Sequence, residues 1–278
     1  MNSPTNGEYL VTIARHGTRA TVRSDVFLNY PVYRQPDAPL NMDYFVWVLQ
    51  NDERTVVVDT GYSEHGAKVR GRDVLIPVAE LLQRLGVDVT AVATVIVTHA
   101  HYDHIGNLDA FPAARFILSR REYEFWTSPN AHKALFHHSV EDDELETLKR
   151  LVESGRVDFF DDQTQPAPGI EVIEVGGHTP GQSVVKVDTA EGTVLLASDA
   201  VHYYEEMTDD MPFSSVADLV EMYDAFARLR SMLASGEIAH LVPGHDPTTL
   251  GRFARAPGEL GAFASIIGTP TSMGTARS

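Results

Sequence analysis

The sequence predicts an α/β layered fold on three observations. Runs rich in β-branched and aromatic residues recur through both halves of the chain, apolar stripes at helical spacing fall between them, and Gly, Pro and Asp punctuate the joints. Strands are expected at Tyr44 to Leu49, Thr55 to Val58, Val92 to Val97 and Arg115 to Leu118. Four more follow at Gly169 to Val175, Ser183 to Val187, Thr193 to Ala197 and Ile238 to Val242.

Helices are read from the period of their apolar residues. Val74, Leu75, Val78, Leu81, Leu82 and Leu85 form one stripe that Gly86 ends, with Asp73 placed to cap it. A second stripe covers Glu141 to Val152 before Gly155, and a third runs from Val216 to Leu233. The segment from about 126 to 165 is less strand-like and is expected as a cap inserted in a single domain of residues 1–267, leaving a polar tail at 268–278.

Composition narrows the function classes. The chain has 278 residues, 43% of them hydrophobic, enough to build a sizeable core. Lys and Arg number 22 against 39 Asp and Glu, a formal net charge of −17 that argues against a nucleic-acid partner, since neutralising phosphates needs clustered basic residues. No apolar run approaches the roughly 18 residues of a membrane helix, and the first twenty residues lack a basic start followed by an apolar core, so a cytoplasmic protein with no membrane partner is expected. The chain has no Cys, so any metal must be held by nitrogen and oxygen.

The chemistry concentrates in Thr98-His99-Ala100-His101-Tyr102-Asp103-His104, directly after an apolar strand. A single His is more often a surface or core residue than a ligand, but four candidate ligands within six residues are a different matter. In extended backbone His99 and His101 point to the same side and can reach one ion. If a helix starts just after them, Asp103 and His104 turn away and can serve a second. Three further candidates also follow expected strands: His178 after Gly176-Gly177, Asp199 after Leu196-Ala197-Ser198, and His245 after Pro243-Gly244. Imidazole and carboxylate without thiolate suit zinc first, and iron, manganese or cobalt as well.

This ordered set, His99, His101, Asp103, His104, His178, Asp199 and His245, resembles the metallo-β-lactamase superfamily over roughly residues 40–250. The resemblance implies an αββα sandwich, two facing mixed sheets with helices outside and two metals at one edge. It also implies that His99, His101 and His178 hold one ion, that Asp103, His104 and His245 hold the other, that Asp199 bridges them, and that Asp59 of Val58-Asp59-Thr60-Gly61 supports the site from behind.

Within the superfamily, Asp199 and the absence of Cys point away from β-lactam hydrolysis. The segment after His245 is too short for the helical substrate domain of glyoxalase II-type thioesterases. His245-Asp246 resembles the acyl-homoserine lactonases, which imply an enzyme that opens a lactone by attack of a metal-bridging hydroxide, with Asp103 moving the proton. Those lactonases carry a Tyr three residues after the bridging Asp. Here that position is His202, so the catalytic candidates beside Asp103 are His202 and Tyr203, with Tyr204 as a substitute. The expected partner is a small lactone or ester, and a homodimer is left open. The alternatives are a thioesterase or other esterase of the same fold and a mononuclear iron sulfur dioxygenase. Phe125, Trp126, Phe136, Met207, Met211 and Phe213 are read first as core, and second as walls for an acyl chain or ring.

Overall fold

The computed structural model describes residues 7–269. Its strands, in chain order, begin with β1 (Leu10–Val22), β2 (Pro39–Gln50), β3 (Thr55–Val58), the two-residue β4 (Asp73–Val74), β5 (Thr94–Ile96), β6 (Arg115–Ser119) and β7 (Val157–Phe160). They continue with β8 (Gln163–Ala167), β9 (Ile170–Glu174), β10 (Ser183–Val187), β11 (Val194–Ser198), β12 (His240–Pro243), β13 (Ala254–Arg255) and β14 (Ala264–Ile267). One mixed sheet of nine strands has the order β13-β14-β1-β2-β3-β5-β6-β7 with β4 beside β1, and a second of five has the order β12-β11-β10-β9-β8.

Residue alternation along the strands explains the layers. In β2, Phe45, Trp47 and Leu49 enter the core between the two sheets, where they meet Val172, Val185 and Leu196 of the smaller one. Val46 and Val48 point the other way, into a core shared with Leu81 and Leu82 of the helix Val78–Arg84 and Leu148 and Leu151 of the helix Asp142–Glu153. Leu195 and Ala197 of β11 pack outward on Met222, Phe226 and Leu229 of the helix Leu219–Ser235. The result is the expected αββα sandwich. Strands buried on both faces read as continuous apolar runs, which is why most were visible in the sequence.

Several boundaries differ from expectation for local reasons. The helix expected from Val74 starts at Val78 behind Pro77, because Asp73 and Val74 instead pair with Thr18 and Gly17 of β1. The helix expected from Val216 starts at Leu219, where Asp218 accepts hydrogen bonds from the backbone N–H groups of Val220 and Glu221 at 2.9 and 3.0 Å. Strand β1 was not expected. Its register shifts between Arg15 and Gly17, so His16 breaks the alternation that would announce it.

The cap expected at 126–165 needs a similar correction. Residues 142–153 are an outer helix whose apolar stripe requires the larger sheet beneath it, and β7 and β8 extend the two sheets. Only the part before the helix comes near the site described below. Of the tail, Gly268 and Thr269 donate backbone N–H groups to Glu191 at 3.0 Å, and the remaining residues lie outside the described ones.

Candidate metal centre

Strands β3, β5, β9, β11 and β12 all end at one edge of the sandwich, and each is followed by chemistry. Asp59 follows β3, the His99 segment β5, His178 β9, Asp199 β11 and His245 β12. The turn Tyr102–Ile105 is helical, so Asp103 and His104 leave the direction set by His99 and His101. Gly177 lets the His178 loop pass the helix Leu219–Ser235: its φ is 85°, and a Cβ there would sit 2.6 Å from the Met222 Cα.

The seven residues gather into two buried donor groups, His99, His101, His178 and Asp199 in one and Asp103, His104 and His245 in the other. Asp199 stands between them. Its Oδ2 lies 3.2 Å from His245 Nε2, 3.4 Å from His178 Nε2 and 3.8 Å from His99 Nε2, and its Oδ1 lies 3.0 Å from His245 Nε2 and 3.3 Å from His104 Nε2. Asp103 faces His245 Nε2 at 3.7 Å and His104 Nε2 at 3.9 Å. His101 Nδ1 and His178 Nε2 are 2.9 Å apart.

The donors fit divalent cations. Nε2 of His99, Nε2 of His104 and Oδ1 of Asp199 are buried without a hydrogen-bond partner, a costly state that cation binding removes. The opposite ring nitrogens are held: His178 Nδ1 donates to the Ser215 carbonyl at 2.8 Å, His245 Nδ1 to the Asp43 carbonyl at 2.8 Å, and His104 Nδ1 to Asp59 Oδ2 at 2.7 Å. Burial keeps His99 and His101 well below the usual imidazole range and lowers His178 to about 3, so their lone pairs are free of protons. Burial would lower His104 too, but Asp199, Asp59 and Asp103 outweigh it and hold that group well above the usual range.

Two buried carboxylates in this region carry no signal in the sequence pattern. Glu122 accepts from Ala100 N at 2.8 Å, Trp126 Nε1 at 2.7 Å, Thr179 Oγ1 at 2.7 Å and Gly181 N at 3.0 Å, tying the His99 loop to the His178 loop. Burial raises its pKa, and these four donors oppose the rise. Glu206 accepts from His202 N at 2.9 Å and faces His202 Nδ1 at 3.2 Å.

His202 is fully buried, with Nε2 3.1 Å from Asp199 Oδ2 and its ring stacked on Phe213 at 3.9 Å. Burial would lower its pKa, but Glu206 and Asp199 reverse this and hold it at about 10. The sequence reading also named Tyr203. Its hydroxyl donates to the Asn41 carbonyl at 3.2 Å and its ring lies near Phe27, away from the donor groups. Tyr204 packs under Arg252 instead, with the guanidinium 3.6 Å from its ring centre. The phenols that reach the site are Tyr44 and Tyr102, on a cavity of about 160 Å³ that also exposes Asp103, His178, Asp199 and Phe213. Tyr102 stood in the His-rich motif itself, whereas nothing in β2 singled out Tyr44.

A match to the metallo-beta-lactamase superfamily covers residues 42–245, and the chain belongs to that superfamily. Fold and donor set together are those of a metal-dependent hydrolase. Among its relatives, the N-acyl homoserine lactonase AiiA of Bacillus thuringiensis subsp. kurstaki is 26% identical over 197 residues, 64% of this chain and 72% of that protein. The lactonase AttM of Azorhizobium caulinodans is 28% identical over 178 residues, 64% of this chain and 66% of that one. In structure the chain is similar to an N-acyl homoserine lactone hydrolase with the product N-hexanoyl-L-homoserine at its catalytic metal centre, with a TM-score of 0.74, 21% identity, and coverage of 91% and 99%. The dizinc quorum-quenching lactonase AidC gives 0.69 at 19% identity, covering 88% of this chain and 90% of that one. Among the described residues no helix is long and apolar enough to cross a membrane.

Proposed function

We propose that the chain is a dinuclear metal-dependent lactonase, opening an N-acyl-homoserine lactone or a related cyclic ester. The observation that carries this reading is the place of Asp199, whose carboxylate lies within 3.0 to 3.8 Å of imidazoles from both donor groups beneath one cavity. His99, His101 and His178 would hold one ion, Asp103, His104 and His245 the other, and Asp199 both. Zinc is the favoured metal, with iron, manganese and cobalt suited to the same donors. When bound, such a pair would supply a hydroxide nucleophile at neutral pH and polarise an ester carbonyl.

The protein's own groups do the rest. Asp103 lies on the cavity wall and can carry a proton toward the leaving ring oxygen. Tyr44 and Tyr102 offer phenolic O–H groups to an oxyanion forming in the cavity. His202 faces Asp199 and Glu206, which supports a positioning role for it rather than contact with substrate.

Metal content per chain, measured together with hydrolysis of a lactone panel, tests the proposal, with His101→Ala and Asp199→Ala as controls. Two ions per chain and lactone turnover lost in both variants are expected. Two ions without lactone turnover would move the assignment to thioesters or other esters, and a single iron would favour the sulfur dioxygenase.

A further inference from the structure

In a chain with 39 acidic and 22 basic residues, the cavity beside the donor groups is lined by three arginines, Arg19, Arg70 and Arg72. Arg70 has partners: it bonds Glu141 Oε1 at 2.8 Å and the Val140 carbonyl at 2.9 Å, and lies over the Tyr102 ring at 4.1 Å. Arg19 and Arg72 form no ion pair among the described residues. Arg19 donates to Thr21 Oγ1 at 3.1 Å, and Arg72 donates to the Tyr102 hydroxyl at 3.0 Å and the Arg70 carbonyl at 2.7 Å.

The two are neighbours by construction. Arg19 belongs to β1 and Arg72 immediately precedes β4, one step beyond the antiparallel pairs Gly17 with Val74 and Thr18 with Asp73. Both are half-buried. Like charges on adjoining strands repel, and a half-buried guanidinium loses hydration, so the arrangement costs stability unless an anion joins it. Asp103 attracts Arg72 at longer range, but it belongs with Asp199 to the donor groups and neither forms an ion pair with Arg19 or Arg72, and Asp25 is exposed and pairs with neither arginine.

We infer that Arg19 and Arg72 bind a carboxylate on the substrate, so that the enzyme acts on small lactones bearing a free carboxylate in preference to neutral ones. The inference rests on the lactonase reading and names the substrate class for that site. A guanidinium pair matches carboxylate geometry and binds it with charge-assisted hydrogen bonds. The cavity volume of about 160 Å³ also suits a compact polar ligand. Sites for drug-sized molecules are usually about 300–1,000 Å³.

The test compares γ-carboxy-γ-butyrolactone with γ-butyrolactone on metal-loaded protein, using wild type, Arg19→Gln and Arg72→Gln, with thermal unfolding to confirm that each variant folds. The wild type is expected to favour the carboxylated lactone in kcat/KM, and each variant to reduce that preference roughly ten- to hundredfold, mainly through KM. A preference for the neutral lactone, or a ratio unmoved in both variants, overturns the inference. If neither lactone is cleaved, calorimetric binding of tetrahydrofuran-2-carboxylate decides separately. Binding lost in the variants at unchanged metal content upholds the carboxylate site even though the lactonase reading fails, whereas no binding, or binding that survives in both variants, sinks it.

Discussion

Oδ2 of Asp59 lies 2.7 Å from Nδ1 of His104, and the same carboxylate accepts from Thr98 N at 2.8 Å and Thr98 Oγ1 at 2.7 Å. Asp59 holds this position with φ at 59°, a left-handed conformation that costs a non-glycine residue energy and persists where its surroundings demand it. The contact turns His104 Nε2 toward Asp199. Asp59→Asn replaces an obligate acceptor with a group that can also donate. Metal competition titration should show one of two ions weakened by roughly ten- to hundredfold, the usual cost of losing such a support. Equal loss of both ions, or of neither, would count against a role confined to His104.

Glu122 is predicted to matter first for stability. Glu122→Ala leaves two backbone N–H groups, the Trp126 indole and the Thr179 hydroxyl buried without their acceptor, and should cost about 3 kcal/mol in denaturant unfolding. Metal retention should fall as well, because the His99 and His178 loops lose their shared anchor.

His202→Ala separates positioning from substrate contact. If His202 steadies Asp199, the variant should lose ions faster to a chelator and leave Glu206 buried without its partner. If it instead acted on the substrate, kcat would fall while metal retention stayed at the wild-type level.

The pH dependence of stability should carry the mark of Glu144. Burial pushes its carboxyl up to about 8 from its ordinary 4.5, although Ser63 Oγ donates to it at 3.0 Å. A folded pKa above the unfolded one means that the protonated form favours folding. This contribution is full below about pH 4.5 and is lost progressively as pH rises to about 8. Glu144→Gln should flatten the fall in melting temperature across that window, and an unchanged slope would show that Glu144 does not titrate there.

The motif from His99 to His104 was legible because strand and turn geometry are local: two-residue spacing on extended backbone and one helical turn after it decide where four side chains point. His178, Asp199 and His245 were legible because each follows a strand marked by apolar residues, alternating with Glu171 and Glu174 before His178 and nearly continuous before Asp199 and His245. Their pairing into one centre rested on resemblance, since nothing local to these segments states that five strands end at a common edge.

What only the tertiary structure decided was which remote groups complete each local one. Glu122 reaches Thr179 across 57 residues and Asp59 reaches His104 across 45, contacts made by sheet order rather than by spacing. The same holds for the phenols. Tyr203 follows Asp199 in the chain yet turns toward Asn41, while Tyr44 arrives at the cavity because β2 crosses beneath it. Sequence by itself determined the donor types, the alternation of strands and helices, and the local direction of the principal ligands. The neighbours that tune those ligands, and the arginines beside them, come from long-range pairing, whose partners lie too far apart along the chain for any periodicity to record.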